Sequence, residues 1–274
     1  MGFNAINIKK ATEVIRICNS GKLQIGSKTL DITDKLKMSK STEYRKEQMD
    51  AIDVSKFSEA GTECVYNVTA YGADEAPFYN RDDKVCILNF ASSKHPGGGF
   101  ESGAMAQEEA LCHASNLNQC LKKHNSFYEY NIANLRKSQY SDGIIYTKDA
   151  VFFRKKFNNT NPKMADVITC AAPNCGASRR LGVTLNENNK TMSRRLEQIL
   201  KVAIANGNRK LVLGAFGCGV FKNEPEYVAS ELFRLLKTEG YEKYFSEIIF
   251  AMNDNKGINF RTFKDTFCVK KVNK

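Results

Sequence analysis

Val85-Cys86-Ile87-Leu88-Asn89-Phe90, then Gly97-Gly98-Gly99, then Gln107-Glu108-Glu109, is the stretch on which the reading of the fold turns. The first segment is a short apolar run of the kind that forms a buried strand. Three successive glycines make a turn whose backbone N–H groups can wrap an anion, and the segment carrying the two glutamates has a helical pattern. A strand, a bare-backbone turn and a helix place carboxylates beside a bound phosphate-containing ligand. An anion cradle has no need of acids, which repel its ligand, so their presence points to acid–base chemistry. Taken alone, the same residues also fit an ordinary loop followed by a solvated helix face.

Two common phosphate signatures are excluded. Gly97 and Gly99 would need a glycine at 102 to complete a dinucleotide fingerprint, and Ser102 stands there. No Gly-Lys-Ser/Thr follows a glycine loop, so there is no P-loop. A second unit of the same kind follows later. Lys210-Leu211-Val212-Leu213 reads as a short strand, Gly214-Ala215-Phe216-Gly217-Cys218-Gly219-Val220-Phe221 as a glycine-rich turn, and Glu224-Pro225 as the opening of a helix. Two such units suggest two loops closing on one extended ligand that carries phosphates and a sugar. Phe216 and Phe221 fit either the core or a stacking role against sugar or base.

Outward from these units, strands are expected near 62–69, 84–90, 144–153, 166–172, 210–215 and 246–252, with a further one near 267–271. Helical patterns fall near 104–124, 126–137, 190–206, 225–238 and 257–265. This alternation predicts a three-layer α/β/α mixed sheet with ligand loops at strand C-termini. Residues 1–58 read as an N-terminal helical extension, with Ile8, Ala11, Val14 and Ile15 at helical spacing. Asn158–Pro162 and Leu185–Asn189 read as polar loops.

The chain has 274 residues, 42% of them hydrophobic, enough for a sizeable core. No run approaches a transmembrane span, so no membrane association is expected. The nine cysteines show no paired spacing and lie largely in apolar surroundings, which reads as reduced thiols in a cytoplasmic or nuclear compartment. Three histidines, His95, His113 and His124, form no cluster with cysteines, so neither a metal nor a cofactor is expected. Cys112 and His113 are neighbours on a helix, where they point apart, which argues against a cysteine nucleophile. The net charge of +11, from 41 basic and 30 acidic residues, fits attraction to a polyanion and equally a solvated lysine-rich surface.

The triple glycine followed by Gln107-Glu108-Glu109 resembles the signature of the microbial-type poly(ADP-ribose) glycohydrolases, enzymes built on a macrodomain. Val85–Ser92, Val167–Asn174 and the loop Gly214–Phe221 with Asn223 and Pro225 are similar to further family segments in the same order, across roughly residues 60 to 265. The resemblance implies residues 1–58 as an accessory helical region and 59–274 as a macrodomain-like catalytic domain. Glu109 resembles the catalytic glutamate, Glu108 its neighbour that holds ribose hydroxyls, and Gln107 the polar residue that completes the signature. Gly97, Gly98 and Gly99 resemble the loop at the distal ribose and diphosphate, and Asn89 a contact to that ribose. Gly217, Cys218, Gly219, Val220 and Phe221 resemble the diphosphate loop, with Phe221 near the sugars or adenine. His95 before the proline and Lys222 after Phe221 depart from the pattern.

Adjacent helix residues point about 100° apart, so the two glutamates cannot serve one atom equally. Paired carboxylates of ordinary glycosidases stand roughly 5–10 Å apart across the sugar, which neighbouring glutamates do not supply. One acid, Glu109, is therefore expected to protonate the leaving ribose oxygen and then take a proton from water, the substrate diphosphate steadying the developing charge. That role predicts a carboxyl whose pKa burial raises. The expected partners are poly(ADP-ribose) or ADP-ribosylated protein, with ADP-ribose as product. The alternatives are a non-hydrolytic ADP-ribose reader and a hydrolase of single ADP-ribose groups on protein or nucleic acid.

Overall fold

The computed structural model describes residues 3–80 and 84–268. In chain order it runs α1 (Phe3–Ser20), β1 (Lys22–Ile25), β2 (Lys28–Asp31), α2 (Thr33–Met38), β3 (Lys40–Tyr44) and α3 (Lys46–Asp50). Next come β4 (Val65–Thr69), α4 (Ala76–Tyr79), β5 (Cys86–Phe90), α5 (Gln107–Ala114), α6 (Leu117–Leu121) and α7 (Asn125–Ala133). The remainder is β6 (Ile144–Lys155), β7 (Asn158–Cys170), α8 (Cys175–Arg180), α9 (Leu185–Ala205), β8 (Lys210–Leu213), α10 (Pro225–Phe233), β9 (Glu247–Ala251) and α11 (Ile258–Phe267). These elements make a mixed α/β fold of two compact units.

The first unit comprises residues 1–45, 74–134 and 143–171. Its strands lie in the order β3-β6-β7-β5, antiparallel except for the parallel β7–β5 pair. Ile87 and Leu88 of β5 and Val167 and Ile168 of β7 are fully or almost fully buried, so the inner strands read as continuous apolar runs. The glycine loop that ends in Gln107-Glu108-Glu109 leaves the C-terminal end of β5. The second unit comprises 46–73, 135–142 and 172–274, and its strands β8-β9-β4 are all parallel. Phe250 of β9 packs against Phe263 and Phe267 of α11, at centroid distances of 5.1 and 4.4 Å. The loop from Gly214 leaves the C-terminal end of β8.

Four local expectations change, each for a physical reason. The N-terminal region is helical in α1, α2 and α3 but also holds β1, β2 and β3, and β3 is aligned by pairing with β6 rather than by its own pattern. The single helix expected over 104–124 is broken into α5 and α6. Asn116 exchanges hydrogen bonds with Val151 of β6, its N–H donating to Val151 O at 3.2 Å and its Oδ1 accepting from Val151 N at 2.9 Å, which pulls the chain out of the helix. Asn158–Pro162 is strand rather than loop, because Lys156 and Phe157, both at positive φ (49° and 69°), form a tight hairpin turn between β6 and β7. Leu185–Asn189 is the first turn of α9. Thr184 Oγ1 accepts from Glu187 N at 3.2 Å while Glu187 Oε2 accepts from Thr184 N at 2.8 Å, a capping box that starts the helix there. For the strand expected near 267–271, Phe267 ends α11 and positions 269–271 lie outside the described residues.

Candidate active site

Gln107, at the start of α5, holds the helix to the strand beside it. Its Oε1 accepts from Phe90 N and its Nε2 donates to Leu88 O, both at 2.8 Å, so the side chain fills the hydrogen-bonding positions of a neighbouring β-strand. With α5 pinned to the end of β5, the next two residues point into the space under the glycine loop. Ala106 at the N-cap has no side-chain acceptor, and Glu109 supplies the cap instead: its Oε2 accepts the Ala106 N–H at 2.9 Å. Glu109 Oε1 accepts the Gly99 N–H at 2.8 Å.

Glu108, buried like Glu109, takes its hydrogen bonds from β5 and the segment just after it. Its Oε2 accepts from Ser92 N at 2.7 Å and its Oε1 from Asn89 Nδ2 at 3.2 Å. Asn89 Nδ2 also donates to Thr169 Oγ1 at 3.2 Å, while Asn89 Oδ1 is buried without a partner among the described residues. Burial pushes the Glu108 carboxyl up to about 8, and the Glu109 charge adds to the push against the opposing hydrogen bonds from Ser92 and Asn89. Glu108 is therefore largely a neutral acid at pH 7.

The glycines are required by how closely this loop wraps the acids. Gly97 and Gly98 take φ of 78° and 60°. A Cβ on Gly98 would stand 2.3 Å from Glu109 Oε1 and 3.0 Å from Glu108 Oε2, and one on Gly97 would stand 2.5 Å from Asn118 Nδ2. Asn118 in turn donates to Pro96 O at 3.0 Å and anchors the start of the loop. The Gly98 N–H closes a turn onto His95 O at 2.9 Å. Of these amides, that of Gly99 meets the protein's own Glu109 carboxyl.

The loop of the second unit has a different economy. Gly217 (φ 72°) leaves no room for a side chain, since a Cβ there would lie 2.6 Å from both Ala172 Cβ and Asn223 Nδ2. Asn223 pins the loop by donating to Gly217 O at 3.0 Å and Pro173 O at 2.9 Å, and its Oδ1 accepts from Asn188 Nδ2 at 2.9 Å. The N–H groups of Gly219, Val220 and Phe221 donate to nothing among the described residues. Val220 is 82% exposed, and the half-buried Phe221 ring lies 6.2 Å from that of Tyr140. Phe216 is fully buried and belongs to the core. Burial raises the Cys218 thiol to about 12, which leaves it without nucleophilic character at neutral pH.

Other candidates serve packing. His113 is wedged between Phe100 and Phe157 at 4.8 and 5.7 Å, and burial lowers it to about 4. Cys112, under Gly97, is raised well above its usual value by burial. Among the described residues no group of three His, Cys, Asp or Glu is placed to hold a metal ion, and no helix is long and apolar enough to cross a membrane. Ser92 and Thr169 lie in the family-like segments 85–92 and 167–174 without being singled out, whereas Asn118 and Asn188 carry no local sequence signal and are recruited by tertiary contact.

The family model for the microbial-type PARG catalytic domain, PARG being poly(ADP-ribose) glycohydrolase, matches residues 11–155. No curated protein matches the chain. Among solved structures, the glycohydrolase of Thermomonospora curvata is 31% identical with a TM-score of 0.88, covering 96% of this chain and 100% of that one. The same bacterial enzyme bound to the inhibitor ADP-HPD aligns with a TM-score of 0.86. The glycohydrolase of Deinococcus radiodurans in complex with ADP-ribose is 31% identical with a TM-score of 0.75, over 82% of this chain and 93% of that one. With half the chain inside the family model and 96% of it aligned at 31% identity to the Thermomonospora curvata enzyme, the protein belongs to the microbial-type poly(ADP-ribose) glycohydrolases.

Proposed function

We propose that Glu109 is the general acid/base of this poly(ADP-ribose) glycohydrolase, which hydrolyses ribose–ribose O-glycosidic bonds and releases ADP-ribose. The observation that carries this role is the grip on its carboxyl: Gly99 N–H on Oε1 and Ala106 N–H on Oε2 fix its plane at the mouth of the glycine loop. Each oxygen keeps a further lone pair for proton transfer. In the first step the carboxyl proton passes to the leaving ribose oxygen as the bond to the anomeric carbon breaks. In the second, the carboxylate takes a proton from the water whose oxygen bonds to that carbon. Asn89 and Glu108 orient the distal ribose: Asn89 Nδ2 holds the Glu108 carboxyl, and a neutral Glu108 can donate to a hydroxyl oxygen without repelling the diphosphate.

Gly97, Gly98 and Gly99 keep this pair in place, and Gln107 acts through them by pinning α5. The unengaged amides of Gly219, Val220 and Phe221 suit a phosphate, with Gly217 and Cys218 shaping the turn and Phe221 offering a ring face. Relatives crystallised with ADP-ribose and with ADP-HPD support ADP-ribose as the recognised unit. Residues 59–274 form the catalytic domain on this reading and 1–58 an accessory region. The partner is poly(ADP-ribose), free or attached to protein, met in a reducing cytoplasmic or nuclear compartment.

The deciding experiment measures ADP-ribose release from purified poly(ADP-ribose) by wild type and Glu109→Gln, with ADP-ribose binding followed by calorimetry. Release by wild type alone, with both proteins binding ADP-ribose, is the expected result. Binding by both with cleavage by neither makes the chain a reader, or a hydrolase of single ADP-ribose groups.

A further inference from the structure

Helix α8 gathers a set of cations that the reaction described above does not use. Its first turn touches two other segments of the second unit. Gly176 N–H donates to Phe221 O at 3.0 Å, Asn174 N–H donates to Ser138 O at 3.0 Å, and Gln139 Nε2 donates to Ser178 Oγ at 2.7 Å. A Cβ on Gly176 would lie 3.1 Å from Lys222 Cγ, so the glycine makes room for that lysine against the helix. The three segments carry Arg136, Lys137, Arg179, Arg180 and Lys222, all exposed. None of the five forms an ion pair or a side-chain hydrogen bond among the described residues. Other arginines of this unit are engaged: Arg194 and Arg195 with Asp142, Arg234 with Glu231 and Glu239, and Arg209 with two backbone carbonyls.

The backbone that displays these cations is held, at a cost. Arg136, Lys137, Ser138, Tyr140 and Lys222 are five of the nine non-glycine residues at positive φ among the described residues. Such conformations are strained and persist only where the surroundings over-determine them. Around Tyr140 the fully buried Arg195 supplies the constraint, bonding to Asp142 and to the carbonyls of Gln139 and Tyr140, while Ser138 O accepts from Asn174 N and Lys222 N donates to Gly219 O. Unpaired cations on a rigid display adjoin, through Phe221 and Lys222, the loop whose three amides are unengaged. That continuity favours an anion that runs on from the loop over one that meets the patch alone.

We infer that Arg136, Lys137, Arg179, Arg180 and Lys222 form a track that binds additional repeats of poly(ADP-ribose), beyond the diphosphate taken by Gly217–Phe221. This rests on the reading of that loop as a diphosphate site. Each repeat of the polymer carries two phosphates, and neutralising them releases counter-ions, so the track's contribution weakens as salt rises. The track therefore distinguishes long polymer from a single ADP-ribose.

The test uses the full chain carrying Glu109→Gln, so that binding is read without cleavage. Affinity for long poly(ADP-ribose) and for ADP-ribose is measured with and without Arg179→Gln/Arg180→Gln, and separately with Lys137→Asn, an exchange compatible with its positive φ. The expected result is about tenfold weaker polymer binding at low salt, an unchanged ADP-ribose affinity, and a difference that closes at high salt. Equal weakening of both ligands, or of neither, overturns the track. Loss of duplex DNA or RNA binding with polymer binding untouched also overturns it and assigns the patch to nucleic acid. A wild-type chain that leaves the polymer intact refutes the hydrolase reading, while the binding comparison still decides the track.

Discussion

The two glycine loops look alike as sequence and do opposite things with their backbones. Each leaves the C-terminal end of a buried parallel strand and leads to a helix, and each uses positive-φ glycines at points of close approach. In the first, the Gly99 amide is engaged by Glu109 and the Gly98 amide by His95 O. In the second, Asn223 pins the carbonyls of Gly217 and Pro173 and leaves the Gly219, Val220 and Phe221 amides open. On the proposed mechanism, the loop that grips the protein's own acid positions a proton donor, and the loop that keeps its amides free takes a ligand's phosphate. On this view, damage to the first loop lowers kcat and damage to the second lowers affinity.

The largest expected effect breaks the first loop's purpose directly. Glu109→Gln keeps the side chain's size, gives up one of its two backbone N–H grips and removes the transferable proton, and turnover of poly(ADP-ribose) should fall by about a thousandfold, within the range that general acid–base catalysis supplies. Binding of ADP-ribose should persist. A variant that retains a tenth of wild-type turnover would move the acid elsewhere. Gly98→Ala comes next. Its methyl would sit 2.3 Å from Glu109 Oε1 on a backbone at φ 60°, so the carboxyl must shift. We expect kcat to fall about a hundredfold, since misplacement of about 1 Å costs on that order. A larger rise in KM than fall in kcat would contradict the division of labour between the loops.

Glu108 tests the same loop through stability. Its carboxyl is raised from 4.5 to about 8, so the folded chain holds a proton that the unfolded chain has released across that window. Its contribution is full below about pH 4.5 and is lost as pH rises toward and through 8, by about 1.4 kcal/mol per unit at most. Glu108→Gln removes this slope. Its amide oxygen can accept from Ser92 N–H, and its NH2 can face the unpartnered Asn89 Oδ1 once Asn89 turns. Thermal unfolding from pH 5.5 to 8.5 should show the variant gaining on wild type as pH rises. A difference that stays constant over that range would argue against a buried, raised acid.

The site was legible in the sequence as residue types and order, and much less as connections. Three glycines followed by Gln107-Glu108-Glu109 read as acids beside an anion-wrapping turn, and it was the second glycine loop and the order of the segments that set this reading above an ordinary loop and a solvated helix face. Which anion the amides face was not readable, since it depends on how far α5 is drawn onto β5 by Gln107. The Asn116–Val151 exchange that breaks the helix between α5 and α6 was equally hidden, being made by residues 35 positions apart. The hairpin at Lys156-Phe157 lacks the Asn-Gly signature its turn geometry favours. The α9 start was visible in principle, because Thr184 and Glu187 have the spacing of a capping box, but the asparagines around them favour a loop reading.

The smallest effect separates the loops most sharply. Gly217→Ala and Gly219→Ala place the same methyl two residues apart with different consequences. At Gly217 the methyl meets Ala172 and Asn223 at 2.6 Å on a left-handed backbone, so the variant should lose thermal stability and bind ADP-ribose about tenfold more weakly. At Gly219 nothing lies within 4 Å of the added carbon and φ is ordinary. The fold should therefore be unchanged, and any loss must come from the ligand side. If phosphate oxygens approach the Gly219–Phe221 amides, a methyl in that path should weaken ADP-ribose binding by about threefold to tenfold, roughly 0.6–1.4 kcal/mol, with kcat untouched. Calorimetry on the two variants decides it: unaltered affinity in Gly219→Ala would mean that the open amides face water, and the contrast between the loops would lose its functional half.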